Sequence, residues 1–144
     1  MRNTGLSFSI VILSISISFA QNQHQYLTER PYAVVLGIAQ DGGYPHAGCE
    51  RSCCRDAWKI DSLRELVSCI AVIDPRSGLA WMFDATPDFA KQYNIITKQH
   101  GARLAGIFLT HAHVGHYTGL MHLGREVMGA KNIVVYAMPK MKTF

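Results

Sequence analysis

The chain has 144 residues, of which 49% are hydrophobic and 17% are charged, and this composition excludes a disordered chain, a coiled coil and a collagen-like repeat. The formal net charge is +4 at pH 7, but residues 21–88 carry six Lys or Arg against nine Asp or Glu, whereas residues 89–144 carry seven against one. The basic residues of the second part are dispersed singly, which argues against nucleic-acid binding and fits solvated charge or an acidic partner surface.

The first 20 residues have the three-part layout of a secretory signal peptide. Arg2 precedes an apolar stretch from Leu6 to Ile17, and Ala20 offers a small residue at a cleavage point. The stretch is too short to span a bilayer comfortably, although an uncleaved N-terminal anchor is the alternative. We therefore predict a periplasmic or secreted protein without membrane association after cleavage, a flexible lead-in over residues 21–31, and one domain over residues 32–144.

Strands and helices are predicted to alternate in the second half of the chain, which indicates an α/β layered fold. Apolar, β-rich runs between turn residues predict strands, and apolar positions at helical spacing predict helices. In the first half we expect a strand at Tyr32–Ile38, a loop from Gln40 to Ala57, a short helix at Asp56–Leu66 and a hairpin of strands Val67–Ile73 and Leu79–Phe83. In the second half we expect a helix after Thr86, a strand at Leu104–Leu109, a histidine-rich loop to Tyr117, a helix at Thr118–Met128 and a strand at Asn132–Met138.

The two longer helices carry different signals. Thr86 is suited to cap the first, with Pro87 at its first position and Gly101 as its stop. Each helix has one apolar face that is expected to be buried. The face of the first comprises Phe89, Tyr93 and Ile96, and that of the second comprises Leu120, Leu123, Val127 and Met128.

Three of the seven histidines, His111, His113 and His116, follow a predicted strand directly. Side chains two residues apart on an extended chain point to the same side, so the first two can converge on one ion. His116 lies where the chain turns into a helix and can reach the same cavity. Because neutral imidazole is the commonest zinc ligand and also suits iron, the segment predicts a metal site, against the alternative of an accidental surface cluster.

This segment, from Thr110 to Leu120, resembles the H-x-H-x-D-H metal motif of the metallo-β-lactamase superfamily, including the Gly-Leu that follows it. The stretches from Leu36 to Pro45 and from Phe83 to Phe89 are similar to the protein B branch of pyrroloquinoline quinone (PQQ) biosynthesis. The resemblance implies the N-terminal half of an αββα sandwich. It also implies that His111 and His113 hold a first metal and that His116 contributes to a second.

Gly115 stands where the superfamily motif has aspartate, and glycine offers no ligand atom, so a mononuclear or weakened site is expected. A divalent ion lowers the pKa of water from about 15.7 toward about 7 and polarises a carbonyl or phosphoryl oxygen. The resemblance therefore implies a zinc-dependent, or alternatively iron-dependent, hydrolase of an ester, amide or phosphoester bond in a small molecule. Two alternatives stay open: a PQQ-biosynthesis-like oxygenase or carrier, and an exported metal-binding module without catalysis.

Asp84 and a cysteine loop are the remaining candidates. Asp84 ends a predicted strand, where its carboxylate can accept a ring N–H from a ligand histidine or bond within the turn. The loop places its candidates in the pattern H-x2-C-x3-C-C, which fits a structural metal site, a disulfide in an exported chain, or free thiols. Its members are His46, Cys49, Cys53 and Cys54.

The superfamily's site is completed by further histidines and an acid from the second half of the sandwich. The six residues after Met138 cannot supply them. We therefore expect a truncated product or a partial chain that is inactive alone, with the missing C-terminal half of the fold as its partner.

Overall fold

A five-stranded sheet forms the centre of the protein in a computed structural model that describes residues 29–143. Its strands are β1 (Tyr32–Gly37), β2 (Cys69–Asp74), β3 (Leu79–Phe83), β4 (Arg103–Leu109) and β5 (Val134–Ala137). They lie in sequence order; β1, β2 and β3 are antiparallel neighbours, while β4 is parallel to β3 and β5 to β4. All five predicted strands are confirmed, with ends shifted by no more than two residues.

The helices are short. They are α1 (Ser52–Arg55), α2 (Phe89–Asn94), α3 (Val114–Tyr117) and α4 (Pro139–Lys142), and a π-helical turn at Ile95–Gln99 extends α2. Two 3-10 segments, Asp61–Leu63 and Thr118–Leu123, also occur among the described residues. No helix within residues 29–143 has the length and apolar character needed to cross a membrane. The predicted signal peptide, residues 1–20, and most of the predicted lead-in lie outside the described residues.

The two predicted helices at Asp56–Leu66 and Thr118–Met128 are wrong. The first stretch forms only the 3-10 turn at Asp61–Leu63. The Arg64 side chain donates to Ala57 O and Trp58 O, and Glu65 pairs with Tyr44 in a β-bridge, so the end of the stretch is extended and not helical. The second forms a 3-10 segment that ends at Leu123. Val127, predicted to be buried, is 61% exposed.

The turn between β2 and β3 shows why the predicted hairpin forms. Asp74 accepts hydrogen bonds from the Arg76 backbone N–H at 3.0 Å and from the Ser77 hydroxyl at 2.8 Å. Gly78 has a φ of +65°, a left-handed conformation that glycine adopts without the steric penalty of a side chain. The side-chain bonds and the glycine together close the chain into a tight reversal.

One face of the sheet packs against α2 and forms the core. The predicted stripe of that helix is confirmed, because Phe89 and Ile96 are fully buried and Tyr93 packs beside them. Complete burial of such side chains contributes about 1.5–3 kcal/mol each. The sheet contributes the buried side chains of Ala71, Ile73, Ala80, Met82, Leu104 and Ile107.

The opposite face of the sheet is apolar but half-exposed. One row of cross-strand neighbours runs over all five strands and comprises Val35, Ile70, Phe83, Phe108 and Tyr136. The Phe108 ring stacks on Phe83 at a centroid distance of 5.1 Å and on Tyr136 at 4.3 Å. We call this set the aromatic row.

Candidate metal centre

Asp84 lies at the point where β3 ends and anchors the loop that carries the histidines. Its backbone has a φ of +73°, a left-handed conformation in which Asp is among the better tolerated residues after glycine. Its N–H donates to Phe108 O at 2.8 Å, and its carboxylate accepts the Thr110 N–H at 2.8 Å. The carboxylate is therefore buried at the ends of two neighbouring strands, β3 and β4, where it can bind the side chains that follow β4.

His116 is the buried histidine of the predicted trio, and two carboxylates flank its ring. Asp84 Oδ2 accepts from Nδ1 at 2.8 Å, and Asp41 Oδ1 lies 2.9 Å from Nε2. Burial alone lowers the pKa of His116, but the hydrogen bonds to Asp84 and Asp41 outweigh it and raise that pKa. In return, the hydrogen bond from His116 lowers the pKa of Asp41. The Nε2 position thus suits either a shared proton or a cation.

His111 is oriented by the same carboxylate through one intermediate group. Thr110 Oγ1 lies 2.9 Å from both oxygens of Asp84 and 2.9 Å from His111 Nδ1, so the hydroxyl can donate to Asp84 while it accepts from the ring. Asp84 therefore constrains Nδ1 of both rings, so that Nε2 is the nitrogen left for a ligand role, and in His116 this atom bonds Asp41. A carboxylate that accepts the second ring N–H is the usual companion of a metal-binding histidine.

All three predicted histidines lie together. The centroid of the His111 ring is 4.5 Å from that of His113 and 4.0 Å from that of His116. His113 is the outermost, with its side chain 71% exposed and its Nδ1 3.1 Å from Asp41 Oδ2. One possible ligand atom from each of Asp41, His111 and His116 lies within 4.8 Å of the other two.

This donor set fits a divalent cation of the zinc or iron type, because imidazole nitrogen and carboxylate oxygen are ligands that both metals accept. Coordination by His111, His113 and His116 stays a prediction. Sequence reasoning missed Asp41, which lies 75 residues before His116. The available signal was the stretch from Leu36 to Pro45, which contains Asp41 and resembles the PQQ branch, but that resemblance did not single out Asp41 as a ligand.

The predicted cysteine loop brings three thiols together. Cys53 Sγ lies 3.9 Å from both Cys49 Sγ and Cys54 Sγ, and all are free thiols. Their sulfur atoms lie within 4.8 Å of one another, a group that does not include His46. The His46 ring instead bonds Gln40 Nε2 at 2.8 Å. The thiols and His46 line an open cavity of about 790 Å³.

The thiols are expected to differ in reactivity. A hydrogen bond from Cys54 lowers the pKa of Cys49, whereas burial and then the Asp84 carboxylate raise the pKa of Cys69 to about 12. Because the thiolate is the nucleophile, iodoacetamide at pH 8 should label Cys49 at least about 100-fold faster than Cys69 in the reduced, metal-free protein. Mass spectrometry of peptides measures both rates. Unfolded protein is the control, in which the difference should disappear; equal rates in the folded protein would contradict the assignment.

No protein-family model and no curated protein sequence matches this chain. Among solved structures, it is similar to Zn²⁺-bound PqqB from Methylobacterium extorquens, with 28% identity and a TM-score of 0.65 over 79% of this chain and 39% of that chain. It is also similar to a diphosphatase from the PhnP family, with 26% identity and a TM-score of 0.58 over 79% of this chain and 44% of that chain.

These similarities establish the fold class predicted from the sequence. The protein has a mixed α/β, metallo-β-lactamase-like fold that resembles PqqB. The chain spans less than half the length of either solved structure.

Proposed function

We propose that this protein is a metal-dependent hydrolase that uses zinc to cleave an ester, amide or phosphoester bond in a small molecule. The observation that supports this best is the bonding of Asp84, which orients His116 directly and His111 through Thr110. A carboxylate that accepts the second ring N–H of a histidine is the usual companion of a metal ligand, and here one buried carboxylate orients two rings.

Each residue has a defined part in the proposal. Asp84 accepts the Nδ1–H of His116, so that Nε2 is the atom that would hold a cation. Thr110 does the same for His111. His113 is exposed at the outer side of the cluster, where it can contact either the cation or the substrate. A bound divalent cation supplies Lewis acidity and lowers the pKa of water to about 7.

The similarity to a PhnP-family diphosphatase favours phosphoesters among the three bond types. An activated phosphodiester such as bis(p-nitrophenyl) phosphate is therefore the first substrate to test, with a carboxylic ester as the second. We expect zinc-dependent release of p-nitrophenol that chelation abolishes and zinc restores.

Removal of a ligand histidine is expected to reduce both metal binding and hydrolysis. In the full chain, His111→Ala and His116→Ala should each lower zinc affinity by more than about 10-fold, since even outer partners of metal ligands contribute about 10- to 100-fold. Equilibrium dialysis with metal analysis measures affinity, and p-nitrophenol release measures turnover. His100→Ala is the matched control, because His100 bonds Tyr32 at 3.1 Å in a different part of the fold. Unchanged zinc binding in both site variants would refute the proposal.

A second candidate function is a PqqB-like role, as a metal-dependent oxygenase or a carrier. The similarity to Zn²⁺-bound PqqB favours it. The metal distinguishes the candidates: zinc-dependent p-nitrophenol release supports the hydrolase, whereas oxygen consumption with ferrous iron and no hydrolysis supports the oxygenase. Stoichiometric zinc with neither reaction supports the carrier or a non-catalytic metal-binding module.

A further inference from the structure

The backbone of Asp41 fills the space beside Gly115, the position at which the histidine motif lacks its aspartate. A Cβ atom on Gly115 would lie 2.5 Å from Asp41 Cα and 2.7 Å from Asp41 O. Real Cβ atoms essentially never make such short contacts with backbone. Residue 115 therefore has no room for a carboxylate while Asp41 stays in place.

The Asp41 side chain points into the centre that the missing carboxylate would have served. Oδ1 lies 2.9 Å from His116 Nε2, and Oδ2 lies 3.1 Å from His113 Nδ1. Two ligands on a tetrahedral zinc, each about 2.0–2.1 Å from the ion, lie about 3.3 Å apart. The 2.9 Å between Asp41 Oδ1 and His116 Nε2 is a hydrogen-bond distance, so the two atoms need to separate by only about 0.4 Å to hold one ion between them. The carboxylate is 37% exposed, so it lies where an ion from solvent can reach it.

The loop that carries Asp41 is held at both ends. On the strand side, Ile38 and Ala39 donate to Leu66 O at 2.9 Å, and Ser68 donates to Ala39 O at 2.8 Å. On the other side, Gly43 adopts a φ of +80° and donates to Gln40 O at 2.8 Å, which closes a turn around Asp41. Pre-positioning of this kind reduces the entropy that a ligand side chain loses when it binds an ion.

We propose that Asp41 is the anionic ligand of the centre, so that the carboxylate absent from position 115 is supplied by the loop after β1. This inference rests on the proposed metal centre and adds to it the residue that completes the charge of the site. The class of ligand is a divalent cation that accepts mixed nitrogen and oxygen donors, with zinc as the probe. Asp41 can replace a carboxylate at position 115 only if that position is glycine, because only glycine lets the histidine loop approach the loop after β1 so closely.

The test compares Asp41→Asn with Asp61→Asn in the full chain. The first variant keeps the shape of the side chain but removes its charge, while Asp61 is 90% exposed and pairs only with Arg64 at 3.3 Å among its described contacts. We expect Asp41→Asn to lower zinc affinity by at least about 10-fold in calorimetric titration and to shift the visible absorption bands of the Co²⁺-loaded protein. The absorption shift reports a changed ligand set, which a merely structural residue would leave unaltered.

The outcomes separate this inference from the proposed function. Stoichiometric zinc on the unmodified chain together with unchanged affinity and Co²⁺ bands in Asp41→Asn would overturn the role of Asp41 and leave the histidine centre standing. No stoichiometric zinc on the unmodified chain would overturn both. Gly115→Asp provides an independent check that does not need metal: it should lower the thermal midpoint by about 5 °C or more through its contact with Asp41. A midpoint equal to that of the unmodified chain would contradict the close approach.

Discussion

Replacing Asp84 with alanine is expected to destabilise the fold by about 3 kcal/mol or more, because each buried hydrogen-bond donor left unsatisfied costs about 1–3 kcal/mol. Asp84 accepts the Thr110 N–H, the Thr110 hydroxyl and the His116 ring N–H, and its side chain is 8% exposed. Alanine would leave those donors without their acceptor. It would also have to adopt the left-handed backbone at a cost of about 1 kcal/mol.

Urea unfolding measures the loss, and Asp84→Asn is the matched variant. Asparagine tolerates the same backbone conformation and keeps an oxygen for Thr110, but it cannot accept from His116 on a second carboxylate oxygen. We therefore expect it to fall between the parent and Asp84→Ala in stability. A loss below about 1 kcal/mol in the alanine variant would show that the site does not depend on this carboxylate.

Replacing Gly119 with alanine is expected to damage both stability and metal binding. A Cβ there would lie 2.2 Å from Thr86 O and 2.8 Å from Phe89 Cβ. The Gly119 N–H also donates to Ala85 O at 2.8 Å, so the backbone after the histidine loop lies directly on the segment after Asp84. Overpacking of this kind costs about 1–3 kcal/mol and sometimes more. Since the two segments carry His116 and Asp84, separating them should lower zinc affinity as well.

Gly124→Ala is the control for this prediction, because it adds the same methyl group at the end of the same 3-10 segment. A Cβ on Gly124 would meet only Met121 O, at 3.1 Å. We expect a stability change below about 1 kcal/mol and unaltered zinc binding. Similar effects from both substitutions would mean that the approach of Gly119 to Thr86 does not hold the site together.

The sequence predicts the sheet well because its signals are local. β-Branched and apolar runs between turn residues mark each strand, and Asp74 to Gly78 specify their hairpin by short-range bonds. The predicted start of α2, at Pro87, lies two residues before the observed start for a similar local reason. Thr86 does accept the Asp88 N–H at 3.1 Å, as a cap would, but the helix begins only at Phe89.

The errors come from contacts between residues far apart in the chain. The stretch from Thr118 has helical periodicity, yet the bond from Gly119 to Ala85 holds it in a tighter 3-10 path. The same limit applies to the candidate centre. Three histidines within six residues are a local signal that the sequence shows directly, whereas Asp41 lies beside them only because its loop packs against Gly115. No periodicity or spacing within the chain encodes that approach.

The aromatic row also bears on how the protein behaves when it is concentrated. It ends at β5, whose Val134 and Tyr136 are 49% and 42% exposed, and an apolar strand of this kind can recruit another copy into an aggregate. Lys131 precedes that strand, and Lys140 and Lys142 follow it. Cations at such positions act as gatekeepers against self-association, because like charges on two copies repel. Their repulsion weakens as salt shortens the Debye length to about 10 Å at 0.1 M, so low ionic strength favours colloidal stability.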